Sequence, residues 1–154
     1  MAYDIHFLVD YPQHVSAVAR WIFEEWQDSI AERSVEEVQK RVQDCLNRDR
    51  LPLALVALEE GEPVGTASLY PHDLPVRPQL SPWLAAVYVP LPRRGRGIGT
   101  RLVSAAEEAA RNIGIEQLYL FTPDQEHFYQ RLGWETLEYT YFHREQIVVM
   151  CKRL

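Results

Sequence analysis

Arg93-Arg94-Gly95-Arg96-Gly97-Ile98-Gly99-Thr100 lies between an apolar run rich in β-formers, Trp83–Val89, and an amphipathic run, Thr100–Asn112. In the second run Leu102, Val103, Ala106, Ala109, Ala110 and Ile113 share one face. Arg101, Ser104, Glu107, Glu108 and Arg111 share the other, and Gly114 supplies the stop. That periodicity predicts a helix. A strand, a glycine-spaced bend and a helix, in that order, make an anion cradle. The first turn of a helix has unpaired N–H groups and a partial positive charge, and both favour a phosphate. Gly95, Gly97 and Gly99 carry no Cβ that would hold the backbone away from phosphate oxygens. Arg94 and Arg96 add charged donors nearby. The expected ligand carries a diphosphate or a similar group. The bland alternative, a solvated turn capping a helix, leaves three alternating glycines without a reason.

Two nucleotide patterns fail at this bend. The dinucleotide pattern G-x-G-x-x-G needs a glycine where Thr100 stands, and the P-loop pattern needs a lysine that is missing. What fits is R-x-x-G-x-G, at Arg94, Gly97 and Gly99.

Working outward, the flanks read as alternating layers. Tyr3–Val9 predicts a strand. Tyr11 to Asp28 predicts a helix, with Val15, Val18, Ala19, Ile22, Phe23 and Trp26 at spacings of three and four. Ser34-Val35-Glu36-Glu37 has the form of a capping box and opens a second helix running to about Asn47. Leu53–Leu58 and Val64–Tyr70, separated by Glu59-Glu60-Gly61-Glu62-Pro63, predict a hairpin. Beyond Gly114, Gln117–Phe121 predicts a buried strand and Pro123–Leu132 a short helix capped by Gly133, with two strands from Trp134 to the end. This order means an α/β or α+β layer around one sheet.

Bulk properties narrow the function classes. The 154 residues suit one domain, 1–154. A net charge of −6 argues against a general nucleic-acid binder. Arg93, Arg94, Arg96 and Arg101 form a basic spot on that acidic background, which suits a small anion. No apolar run approaches bilayer length, so no membrane partner is expected. The start shows no signal peptide, and Cys45 and Cys151 have neither disulfide-framework nor zinc spacing. The expectation is a cytoplasmic protein without a metal.

Taken together, Ala86-Val87-Tyr88-Val89-Pro90, Arg93–Thr100 and the helix after them resemble the acetyl-CoA-binding motif of the GNAT superfamily of N-acetyltransferases. Phe128-Tyr129-Gln130-Arg131-Leu132-Gly133-Trp134 is similar to that superfamily's FYxxLGF signature. The two motifs stand in the right order, and the element order matches along nearly the whole chain. The resemblance implies a GNAT-like acyl-CoA N-acyltransferase fold: a mixed, mostly antiparallel sheet, splayed between Trp83–Val89 and Gln117–Phe121, with helices on both faces. It implies an acetyl-CoA-dependent N-acetyltransferase that passes the acetyl group to a primary amine by direct attack in a ternary complex. Acetyl-CoA is then the co-substrate. Val87, Tyr88 and Val89 carry the backbone groups facing the thioester carbonyl and the pantetheine arm. Gly95, Arg96, Gly97, Ile98, Gly99 and Thr100 face the pyrophosphate, and Arg94 takes the position usually held by Gln or Arg. Tyr129 matches the tyrosine that protonates the departing thiolate.

The chain also departs from that pattern. Thr122-Pro123-Asp124-Gln125 stands where many relatives place a cofactor-contacting asparagine. A general base is not evident; Glu25, His72, Asp73 or a water chain are the candidates. The acceptor is a small-molecule or peptide amine, and Thr122–Trp134 also resembles part of some protein amino-terminal acetyltransferases. A homodimer stays open. The alternative functions are a non-catalytic acyl-CoA-binding protein of this fold and a nucleic-acid module using the arginines. The bland readings are that Trp83, Trp21 and Trp26 pack, that Glu24-Glu25 and Glu59-Glu60 are solvated, and that Tyr129 borders the core.

Overall fold

The computed structural model describes residues 2–154. Its strands are β1 (Asp4–Phe7), β2 (Leu53–Glu59), β3 (Glu62–Tyr70), β4 (Trp83–Tyr88), β5 (Gln117–Thr122), β6 (Glu135–Phe142) and β7 (Glu145–Arg153). Its helices are α1 (Val15–Trp26), α2 (Val35–Gln43), α3 (Ile98–Asn112) and α4 (Glu126–Arg131). Every element expected from the sequence is present, with ends shifted by about one helical turn at most.

One open sheet holds all seven strands in the order β1-β2-β3-β4-β5-β7-β6. Each neighbouring pair is antiparallel except β4 and β5. Two tight hairpins set the register. Glu60 and Gly61 join β2 to β3, and His143 and Arg144 join β6 to β7, all four with positive φ as such turns require.

Strand alternation sorts the core into two layers. Leu53, Leu55 and Ala57 of β2 face α3, whereas Ala54, Val56 and Leu58 face α1 and α2. Both faces of the central strands are therefore covered, which is why β2 and β3 read as nearly continuous apolar runs. Gly65 of β3 lets α3 approach. A Cβ there would lie 2.8 Å from Leu102 Cδ1 and 3.1 Å from Ile98 Cγ2. The cap of α2 differs from the reciprocal box expected. Ser34 Oγ accepts from Glu37 N–H at 3.2 Å, but the Glu37 carboxylate accepts from Arg33 N–H instead of Ser34.

The site is placed by a fault in this sheet. β4 and β5 share a single bridge, Trp83 opposite Tyr119, with Tyr119 N–H donating to Pro82 O at 3.0 Å. Beyond Trp83 the two strands part. On the other side of β4 the register slips between Thr66 and Ser68 of β3, so Ala86 and Val87 together oppose Ala67. Ala86 takes φ 54°, the left-handed conformation that a bulge can impose. Alternation fails accordingly: Ala85 and Ala86 both face α1 and α2, and Val87 returns to the α3 face.

Candidate active site

Three segments converge at the open end of the parted strands. The first is β4 after its bulge. Val87 and Val89 pack toward α3, while Tyr88 turns the other way against Trp21 and Trp26, with ring centroids at 5.6 and 6.2 Å. The second is the bend before α3. Gly95 and Gly97 have φ of 82° and 80°, and nothing lies within 4 Å of the Cβ either would carry. These glycines are required by conformation, and the space beside them is open. Gly97 is the N-cap of α3 and has no side chain to cap it, and the N–H groups of the first turn, at Ile98, Gly99 and Thr100, have no side-chain partner among the described residues. The third is α4. Phe128 Cζ lies 3.7 Å, and Val89 Cγ2 3.8 Å, from where a Gly99 Cβ would be. Gly99 is therefore the point at which β4, α3 and α4 meet.

The arginines are arranged differently from the expectation. Arg94 is exposed, and its Nε donates to Val89 O at 2.7 Å while the guanidinium lies 5.6 Å from the Tyr88 ring centroid. It ties the bend to the end of β4. Arg96 donates to Glu59 at 2.8 and 3.3 Å, and Arg93 donates to the same carboxylate. Glu59 itself is buried, with 4% of its surface exposed, so the solvated face expected for it is wrong. The hydrogen bond from Arg96 holds the Glu59 carboxyl below its ordinary value. Much of the cluster's charge is thus spent on fixing the bend to the β2–β3 hairpin.

Tyr129 is buried in the α3-side core and does not merely border it. Burial, reinforced by the Asp124 carboxylate, raises its phenol above the ordinary value. The group stays protonated across the neutral range, so it can donate a proton and cannot act as a base. Thr122, the first residue of the stretch that stands in place of a cofactor-contacting asparagine, accepts from Gln125 N–H at 3.1 Å and Asp124 N–H at 3.4 Å and so anchors the start of α4.

The base candidates fall on different ground. Glu25 and His72 are exposed. Asp73 lies in the loop after β3, 3.4 Å from Arg41, and burial pushes its carboxyl up to about 6. It follows Tyr70, which pairs with Trp83 at the closed end of the split. Trp83 is fully buried, with its indole N–H donating to Leu80 O at 2.7 Å, so it packs. A cleft of about 520 Å³ between the α1–α2 loop and the β6–β7 turn is lined by Phe23, Gln27, Asp28, Ile30, Glu32 and His143 among others. Gln27 follows Trp26, so this cleft adjoins the wall around Tyr88. No group of His, Cys, Asp or Glu suited to a metal ion occurs among the described residues.

The sequence pattern of the Acetyltransferase (GNAT) family matches residues 15–134. The chain belongs to the GNAT family of acetyltransferases. Within the family it is similar to N-alpha-acetyltransferase 80 of Mus musculus, with 32% identity over 136 residues. That match takes in 80% of this chain and 38% of the mouse protein, so the chain spans well under half the length of this relative. Among solved structures, the ribosomal-protein-alanine N-acetyltransferase of Brucella melitensis superposes with a TM-score of 0.74 at 22% identity, covering 100% of both chains. An aminoglycoside 6'-N-acetyltransferase complexed with coenzyme A superposes with a TM-score of 0.72 at 20% identity, covering 99% of this chain and 97% of the other. These two likenesses show the shared GNAT fold. Two residues escaped sequence reasoning: Glu59, and Glu107, which is 5% exposed although its helix position put it on the outer face. Their hydrogen-bond partners are 27 to 45 residues away, beyond any local pattern.

Proposed function

We propose that this one domain moves the acetyl group of acetyl-CoA to a primary amine by direct attack in a ternary complex. The observation that carries the reading is the uncapped first turn of α3, entered through two left-handed glycines beside the parted β4 and β5. A diphosphate fits the donors present there. Bound acetyl-CoA supplies an activated acyl carbon and, once the C–S bond breaks, a thiol leaving group.

The chain's own groups then have distinct tasks. N–H groups of Gly95 to Thr100 hold the diphosphate, with Arg94 at the rim. Backbone of Val87 to Val89, freed from β5, pairs with the extended arm, and N–H near Val87 stabilises the oxyanion as the C–N bond forms. Tyr129 donates its proton toward the sulfur as the C–S bond breaks. The amine must arrive unprotonated, and a water chain suits the cleft better than Asp73, which is engaged by Arg41. Two free thiols, at buried Cys45 and half-buried Cys151, fit a reducing, cytoplasmic setting.

One relative favours a narrower acceptor. The likeness to N-alpha-acetyltransferase 80 supports the α-amine of a polypeptide over a small molecule. At neutral pH an α-amine is also far easier to deprotonate than a lysine, by about 2.5 pKa units.

Thermal melting with and without acetyl-CoA tests the core of the reading. Saturating ligand, at about 100 times Kd, adds about 2.7 kcal/mol and raises the melting temperature by several degrees. Gly97→Val, strained at a positive φ, weakens acetyl-CoA binding by roughly tenfold. No rise at saturation, or unchanged affinity in the variant, overturns the cradle.

A further inference from the structure

Glu107 is the charged residue of α3 that turns inward, and both of its oxygens are used. Oε2 accepts from Trp134 Nε1 at 3.1 Å, and Oε1 accepts from Lys152 Nζ at 2.9 Å, with Arg111 at 3.9 Å. Lys152, on β7, also donates to Leu132 O at 2.7 Å. It reaches that carbonyl over Gly133, where a Cβ would lie 3.4 Å from its Cε and 3.5 Å from its Nζ. Trp134 is 2% exposed; its backbone N–H donates to Tyr129 O at 3.0 Å, and its ring meets that of Tyr129 edge-on at 6.1 Å.

These contacts bear on a helix that cannot hold itself. α4 has six residues, far below the length at which an isolated helix persists. Thr122 tethers its start, and its end depends on what α3 and β7 supply. If the core here needed only filling, apolar side chains would serve as well or better than a buried carboxylate and a half-buried ammonium. What charged hydrogen bonds add is direction. α3 is also the helix whose first turn forms the phosphate cradle, so Glu107 links that cradle to the segment bearing the phenol.

We propose that Glu107 is a positioning residue: by gripping Trp134 and Lys152 it fixes α4 against α3 and sets the Tyr129 hydroxyl relative to the phosphate site. The inference rests on Tyr129 being the proton donor of the proposed reaction. Glu107→Gln keeps an acceptor for the indole, Trp134→Phe removes only the indole donor, and Glu107→Leu removes the grip.

Two readouts on the full chain test it. In the acetyl-CoA complex, the ¹³C-labelled ring of Tyr129 shifts and broadens in Glu107→Leu and returns part of the way in Glu107→Gln, whose amide can accept from only one of the two donors. With a free α-amine peptide as acceptor and thiol release as the assay, Glu107→Leu lowers kcat roughly tenfold and moves the KM for acetyl-CoA by less than about twofold. On a Tyr129→Phe background the same change costs no further rate. Trp134→Phe, which keeps the ring in place, repeats the effect in weaker form should Glu107→Leu fail to fold. An unmoved Tyr129 ring, additive losses, or a rise in KM at constant kcat overturns the inference while leaving the acetyltransferase reading intact. A normal rate in Tyr129→Phe alone defeats the donor reading itself, and a slow Glu107→Leu then has another cause.

Discussion

The two faces of the sheet bury their carboxylates under unlike conditions. On the α3 face, Glu107 has a partner for each oxygen at 3.1 Å or closer. On the α1–α2 face, Asp73 and Glu32 share the single guanidinium of Arg41, at 3.4 and 3.5 Å, and Glu32 Oε1 has no hydrogen bond among the described residues. Arg41 also lies over the Tyr70 ring, whose hydroxyl contacts Cys45 Sγ at 3.0 Å. A fully satisfied polar network holds its neighbours in one arrangement, and a partly satisfied one costs stability and leaves the arrangement open. The satisfied network lies against Tyr129, through Trp134. The loose one borders the cleft that Glu32 lines.

Three perturbations would break or sharpen that contrast. The largest concerns the phenol on the tight face. Tyr129→Phe should lower turnover by about 100-fold, the lower end for loss of a general acid, with acetyl-CoA affinity unchanged. Steady-state kinetics beside calorimetry decide it, and equal losses in both would move Tyr129 from chemistry to binding. Next comes packing on the same face. Gly65→Ala forces a methyl within 2.8 Å of Leu102 and should destabilise by about 1–3 kcal/mol, seen in denaturant melts. A neutral result would mean that α3 can shift on β3, and the tight face would not be tight.

The smallest effect belongs to the loose face and is one of pH. Asp73 has a folded value of about 6 against 3.8 ordinarily, because burial disfavours its charge. The folded chain therefore binds more protons than the unfolded one between those limits, and stability falls as pH rises through that window. Asp73→Asn removes this dependence. Its stability relative to the parent should improve by up to about 2 kcal/mol between pH 4 and pH 7. A flat difference across that range would show Asp73 to be as well satisfied as Glu107.

Most of the fold was legible because it is written in short-range periodicity: strand and helix runs, the glycine bend, the Ser34 cap and the β2–β3 hairpin turn. The bend before α3 was legible for the same reason, since Gly95, Gly97 and Gly99 stand within one local pattern. What escaped was whatever depends on distant partners. Glu107 sits at an outward position of its helical repeat, yet β7 and the α4 end come over it and close it in. Glu59 follows an apolar strand and reads as a turn residue until Arg93 and Arg96 fold back onto it. The bulge at Ala86 left no mark either, because alanine carries no signature of a positive φ.

An open seven-stranded sheet should present two borders, at β1 and β6. The parting of β4 from β5 creates two more, facing each other in the interior. Exposed borders of this kind are usually where stray polypeptide docks and fibrils begin, and proteins spend charge, proline and bulges to blunt them. Here the hazard is indoors. The same unpaired amides that would be dangerous on the rim sit between helical layers, where a slender linear chain with amides of its own can complete the ladder.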